Sequence, residues 1–187
     1  MDNDTLDFLR RRRSHPPKML RGPAPDRAAL EELLTIAARV PDHGKLTPWR
    51  FVVLERATLD RLAPLLADHV TRNGGDEAAA TKARTAFGSP VIVAVVSAPV
   101  DHPKIPEWEQ FLSAGAVSLS LLNAALAAGY GASWLSGPAC EAAFAQAHLG
   151  IHPGERVVGL VHIGTRGETE IPDRPRADVP SLTTWLA

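Results

Sequence analysis

The sequence predicts an α+β fold, and three observations carry that expectation. Apolar runs of strand length and longer segments of helical period are mixed without the regular strand–helix succession of a doubly wound sheet. Turn formers separate them at His15-Pro16-Pro17, within residues 41–49, at Asn73-Gly74-Gly75 and at Pro90. A chain of 187 residues, 45% hydrophobic, supports one core and would be cramped as two, so a single domain over residues 1–187 is expected.

The elements follow in order. Near the N-terminus Asp4 is a candidate cap, Asp7 falls in the first turn, and Leu6 and Leu9 are three apart. The segment ends in Arg10, Arg11, Arg12 and Arg13, where the helix dipole favours cations, so a short helix ending at Ser14 is expected. From Asp26 onward Leu30, Leu33, Leu34, Ala37 and Ala38 recur at helical spacing, with a stop near Pro41. The polar, turn-rich loop 41–49 gives way to Phe51-Val52-Val53-Leu54, a strand candidate beside a loop suited to a site. Residues 59–70 and 76–87 read as two helices, and Pro90 opens residues 91–96, apolar throughout, as a buried central strand.

A long helix is expected from Glu107 to Ala128. Its second half is apolar nearly all round and rich in Ala, Ser and Gly, which implies packing on several sides and therefore a subunit interface. Residues 132–135 and 157–164 are the remaining strand candidates. The arm, about 165–187, is polar, carries Pro172, Pro175 and Pro180, and ends in Trp185-Leu186. Such a segment makes no core of its own and is expected to lie on a partner subunit.

Composition narrows the functional classes. A net charge of -1 gives no global pull toward nucleic acid or membrane, so neither partner is expected. The single cysteine, Cys140, excludes an intrachain disulfide and an all-cysteine zinc site and suits a reducing compartment; it reads as an inert small hydrophobe. The first residues, acidic and then basic, lack the apolar core of a secretory signal, and the longest apolar stretch, residues 114–130, is shorter than the ~20 residues of a spanning helix. A cytoplasmic protein is expected. Gly129-Tyr130-Gly131-Ala132-Ser133-Trp134 starts like a dinucleotide fingerprint, but Trp134 stands at the last glycine position and the segment leaves a helix instead of opening one. The chain has no Gly-x-Ser-x-Gly elbow, phosphate-loop lysine motif or His-Glu-x-x-His, and its histidines lack ligand spacing, so no metal is expected.

Taken in order, Arg12-Arg13-Ser14, then residues 39–45 (Arg-Val-Pro-Asp-His-Gly-Lys) with Thr47-Pro48-Trp49, then residues 129–137, resemble the nitroreductase family. Trp108-Glu109-Gln110 and Ile163-Gly164-Thr165 are similar to segments of its small, minimal bacterial members. The resemblance spans nearly the whole chain. It implies a three-layer α+β fold with a mixed sheet of four or five strands flanked by helices, the C-terminal arm packed on the partner, and a homodimer with one FMN in each of two interfacial clefts.

By the same resemblance, Arg12 and Ser14 hold the phosphate and ribityl chain, and Arg13 lies toward the polar edge of the isoalloxazine ring. Arg39 and His43 reach over the cofactor from the partner, Trp134, Leu135 and Ser136 run along the ring, and Arg176, more than Arg174, grips the phosphate. A backbone N–H near Ser136 or Gly137 would tune the ring's N5, and the protein supplies position and electrostatics with no catalytic side chain. The implied activity is a two-step cycle in which NADPH or NADH gives hydride to N5 and a nitroaromatic, quinone or similar electrophile then takes it. A non-catalytic flavin-binding protein and a flavin dehydrogenase on the same scaffold are the alternatives. The sequence departs from the wider family at Pro16, Thr47 and Leu135, which replace a basic residue, a glutamine and an arginine; the first and third leave fewer charges near the flavin.

Overall fold

The computed structural model describes residues 3–167 and 171–186, so residues 168–170 and 187 of the arm lie outside it. Among these, six α-helices and five strands occur: α1 (Asp4–Arg11), β1 (Leu20–Arg21), α2 (Arg27–Ala37), β2 (Trp49–Glu55), α3 (Arg56–Arg72), α4 (Glu77–Thr85), β3 (Val91–Ser97), α5 (Glu107–Ala127), β4 (Gly131–Leu135), α6 (Ala142–His148) and β5 (Arg156–Arg166).

The strands form one sheet centred on β5. On one side β5 pairs with β3, Val91 opposite Ile163, and β3 pairs in turn with β2, Trp49 opposite Ser97. On the other side β5 pairs first with β4, Leu135 opposite Leu160, and then with β1, Leu20 opposite Arg166. All these pairings are antiparallel, a correction to the mixed sheet that was expected. The reason is topological. Helix α5 joins β3 to β4, which run the same way and would make a parallel pair, but β5 lies between them and runs opposite to both.

All seven residues of β3 are buried, as its unbroken apolar run predicts. Alternation then divides the core in two. Ile92, Ala94 and Val96 face Leu59, Leu62 and Leu66 of α3 together with Phe87 and Phe144. Val91, Val93 and Val95 face Leu30 and Leu33 of α2 and Val117, Leu121 and Ala125 of α5. The result is helices, sheet, helices, the three layers expected.

Local chemistry sets the helix ends. The cap of α1 is Asn3 and not Asp4: its side chain accepts from the N–H groups of Thr5 and Leu6. That helix also stops before Ser14, because Arg12 takes an extended ψ of 135° and leaves the following residues outside it. Asp26 and Asp76 cap α2 and α4 through the N–H groups of Ala29 and Ala79. Helix α3 starts at Arg56, earlier than its apolar periodicity suggests, so a charged first turn precedes Leu59. The two-residue β1 was not foreseen, being too short to carry a pattern.

Helix α5 is long and apolar enough by length and composition to cross a membrane, yet its inner face packs in the core against α2 and the sheet. Expected to be buried all round, it is covered on that side only within one chain. Trp108, Phe111, Leu112 and Leu119 are exposed on it. In the arm, Val179, Leu182, Trp185 and Leu186 are 65–94% exposed, so the described residues of the chain leave these side chains largely uncovered.

Candidate functional site

Where α1 ends, the chain carries Arg12, Arg13 and Ser14 across the end of the sheet, and the N–H of His15 donates to the carbonyl of Ala132 at 2.8 Å. That bond lays the segment alongside β4. Arg12 donates through Nη2 to Ser14 Oγ at 3.4 Å, while its Nε is buried with no partner among the described residues. Arg13 donates to Pro172 O at 2.7 Å and Asp173 Oδ1 at 3.1 Å, and Arg176 donates to the same Asp173 oxygen at 2.6 Å.

Two guanidinium groups, those of Arg13 and Arg176, therefore meet on one carboxylate, with the charges of Arg12 and Arg174 close by. Burial, and then repulsion from Arg176, Arg13 and Arg174, pushes the pKa of Arg12 below its ordinary value. The Arg174 N–H, followed by Arg176 and Arg13, holds Asp173 down at about 2. One carboxylate cannot neutralise so many cations, and the orphaned Arg12 Nε is a donor without an acceptor. The cleft beside them, about 630 Å³, is lined by Phe8, Arg12, Arg13, His15, Tyr130 and Arg166. Burial, then the charge of Arg166, lowers the pKa of His15 in that wall.

The end of β4 brings Trp134, Leu135 and Ser136 to the surface, with Trp134 37% and Leu135 42% exposed. The indole lies against Gly159 of β5, where a Cβ would overlap Trp134 Nε1 and Cδ1. Gly159 thus fixes where the ring can lie. Gly159→Ala should displace the indole at a cost of about 1 kcal/mol, typical of modest overpacking. A shift of tryptophan emission with a matching loss in urea stability would show it; an unchanged spectrum would mean that the ring never depended on the glycine.

Arg39 and His43 stand elsewhere. The exposed Arg39 lines a groove between α1, α2 and α5, and His43 sits in a short 3-10 turn beside the start of α5. Among the described residues, no hydrogen bond joins either to Arg12, Ser14 or residues 134–136. Within one chain the expected residues thus fall at the arginine cleft and the neighbouring end of β4, and separately along residues 39–43. Asp42 shapes that loop by accepting from the N–H groups of Leu46 and Thr47 at 3.1 and 2.9 Å. Ser113 pins it to α5, donating to Pro41 O and accepting from Trp49 Nε1. Gly44, Lys45 and Thr47 have φ of 74°, 56° and 49°, a left-handed backbone that strains the β-branched Thr47. His43 Nδ1 lies 2.8 Å from Glu109 Oε2.

Sequence reasoning gave no role to Asp173, Glu109 or Ser113. Asp173 lies in a proline-rich arm with no periodic signal, and the contacts of Glu109 and Ser113 span 66 and 72 residues, beyond the reach of any local pattern.

Comparison with known proteins agrees with the geometry. The Nitroreductase family model matches residues 9–165. A chain named as an NAD(P)H nitroreductase, YdjA of Escherichia coli (strain K12), is 35% identical over 163 residues, covering 87% of this chain and 88% of its own. A similarly named protein of Haemophilus influenzae is 36% identical over 186 residues, 98% of this chain and 100% of its own. In fold, the chain is similar to a nitroreductase with bound FMN from Bacteroides fragilis, at a TM-score of 0.76 and 18% identity, covering 99% of this chain and 100% of that one. With its three layers, its arginine cleft beside β4 and a family match over most of its length, the chain belongs to the nitroreductase family.

Proposed function

We propose that this protein is an FMN-dependent NAD(P)H oxidoreductase that reduces nitroaromatics, quinones or similar electrophiles, working in the cytoplasm as a homodimer of one-domain subunits spanning residues 1–187. The observation that carries the reading is the cluster of Arg12, Arg13, Arg174 and Arg176, in which Arg13 and Arg176 share Asp173 and, among the described residues, Arg12 Nε is buried and unpaired. Such a cluster suits the dianionic phosphate of a flavin mononucleotide, which brings charge and several acceptor oxygens together. The names of the two similar chains and the FMN in the Bacteroides fragilis structure support the same reading.

In this assignment Arg12 and Ser14 bind the phosphate and ribityl chain, and Arg176 adds charge from the arm. Arg13, engaged with Pro172 and Asp173, holds the arm over the cleft from beside the ring's polar edge. Trp134, Leu135 and Ser136 would line the ring, and the backbone N–H near Ser136 or Gly137 would be the group that tunes its hydride-accepting nitrogen. When bound, the flavin supplies the hydride-accepting chemistry, and the protein positions it and excludes water. Arg39 and His43 complete the site from the partner, which fits their joining no hydrogen bond, among the described residues, with the arginine cleft of their own chain. The outward apolar side of α5 and the bare arm are surfaces suited to that partner.

The test is anaerobic mixing of FMN-loaded protein with NADH and, separately, NADPH. Bleaching of the flavin near 450 nm, roughly the usual oxidised-flavin band, followed by reoxidation with a quinone or nitroaromatic, is expected. Binding without bleaching by either reductant would make the chain a flavin-binding protein without reductase activity, and no binding would remove the flavin altogether.

A further inference from the structure

We propose that Glu109 is a positioning residue for His43, fixing the imidazole as the Nδ1–H tautomer with its Nε2 edge turned away from α5. The inference rests on the assignment above, in which His43 serves the flavin site of the other subunit. A carboxylate only accepts hydrogen bonds, so at 2.8 Å from Glu109 Oε2 the proton belongs on His43 Nδ1. Nε2 is then the nitrogen left to meet a ligand. Which nitrogen carries the proton is set by the partner of the other one.

Both ends of this contact are anchored independently. His43 sits in the turn that Asp42 holds through Leu46 and Thr47 and that Ser113 ties at Pro41. Gly44 follows it in a left-handed conformation, with Ile105 Cδ1 only 2.6 Å from where a Cβ would stand, so the turn lies tightly on the segment leading into α5. The neighbour of Glu109, the buried Gln110, clamps that segment by accepting from Val100 N–H at 2.8 Å and donating to Val100 O and Ile105 O. A side chain held at both ends loses less freedom on meeting a ligand.

The plain alternative is that Glu109 merely favours the start of α5, as an acidic residue in a first helical turn does. Glu107 lies in the same turn and already does so. With 64% of the His43 side chain and 31% of the Glu109 side chain exposed, the pair contributes little to stability, which leaves orientation as its effect.

The decisive measurement uses two variants and two readouts. Glu109→Ala removes the acceptor, while Glu109→Gln keeps a carbonyl oxygen that accepts from Nδ1–H but carries no charge. Nitrogen-15 shifts of His43 are read in the flavin-free protein at alkaline pH, where imidazoles are neutral, with the resonance assigned by its loss in His43→Gln. The Nδ1–H signature is expected in the parent and in Glu109→Gln, and the Nε2–H form that free imidazole prefers in Glu109→Ala. In an FMN titration Glu109→Ala should bind about five-fold more weakly, with Glu109→Gln within about two-fold of the parent. Persistence of the Nδ1–H form in Glu109→Ala, or equal losses in both variants, overturns the positioning role. A parent protein that binds no FMN overturns the functional assignment instead, since the tautomer is read without flavin.

Discussion

Arg12→Ala should weaken FMN binding about 30-fold, whereas Arg10→Ala should change it by no more than about two-fold. A charge-assisted hydrogen bond contributes about 2 kcal/mol, and each 1.4 kcal/mol is roughly tenfold in affinity. Arg12 is the guanidinium with a buried, unpaired Nε at the arginine cleft, and the one that reaches Ser14. Arg10, 68% exposed, spends its charge on Asp7 within its own helix. Flavin fluorescence quenching at constant ionic strength measures both. Equal losses would place the phosphate on other cations, while raised salt should weaken the parent more than Arg12→Ala because one phosphate contact is already gone.

Acidification from pH 7 to pH 5 should cost about 2 kcal/mol of folding stability through His162 alone, a figure obtained by linkage from its lowered pKa. His162 is 2% exposed, opposite Ser133 in the β4–β5 register, and its Nδ1 shares a 2.9 Å hydrogen bond with the buried Ser89 Oγ. Burial holds its pKa down at about 4 from the ordinary 6.5. The folded protein thus keeps the imidazole neutral where the unfolded chain protonates it. Its contribution is whole above about 6.5 and shrinks as the pH falls toward 4.

The half-buried His15 shifts the same way, so His162→Gln is the variant that isolates the effect, and it should flatten the pH slope of urea midpoints between 7 and 5. Glu155 acts in a lower window. Held at about 2, mainly by its hydrogen bonds from Arg50, it contributes stability above about 4.5 that is lost as the pH falls through 2. An unaltered slope in His162→Gln would mean that the imidazole is not neutral in the fold.

The parts of this fold that were legible in the sequence are those in which one residue's neighbours decide its state. The run 91–97 is apolar at every position but its last, and only a strand buried on both faces tolerates that. Leu30, Leu33 and Ala37 mark the inner face of α2 by spacing alone. Sheet order escaped, because β5 inserts between β3 and β4 through pairings set by packing and not by local composition. The capping Asn3 was passed over for Asp4 since both are good caps and only backbone geometry separates them. At the candidate site, Arg12 and Ser14 are proposed from the resemblance, and the fold joins them by a 3.4 Å hydrogen bond. Asp173 was invisible, since its partner Arg13 lies 160 residues away.

The place of β5 in the chain has a consequence for how the molecule is made. It is the last strand among the described residues, yet β1 and β4 pair with it alone and β3 pairs with it along one edge. During translation, β2 and β3 can meet as soon as both have emerged, with α3 and α4 between them to cover one face. The edges of β1 and β4 must wait for residues 156–166, so the sheet that carries Arg12 and Ser14 beside β4 is not closed until those residues have emerged. Such non-local closure slows folding and leaves unpaired edges exposed in the interval. A nascent chain stopped before residue 156 therefore presents a half-built sheet to chaperones and has no flavin site to fill.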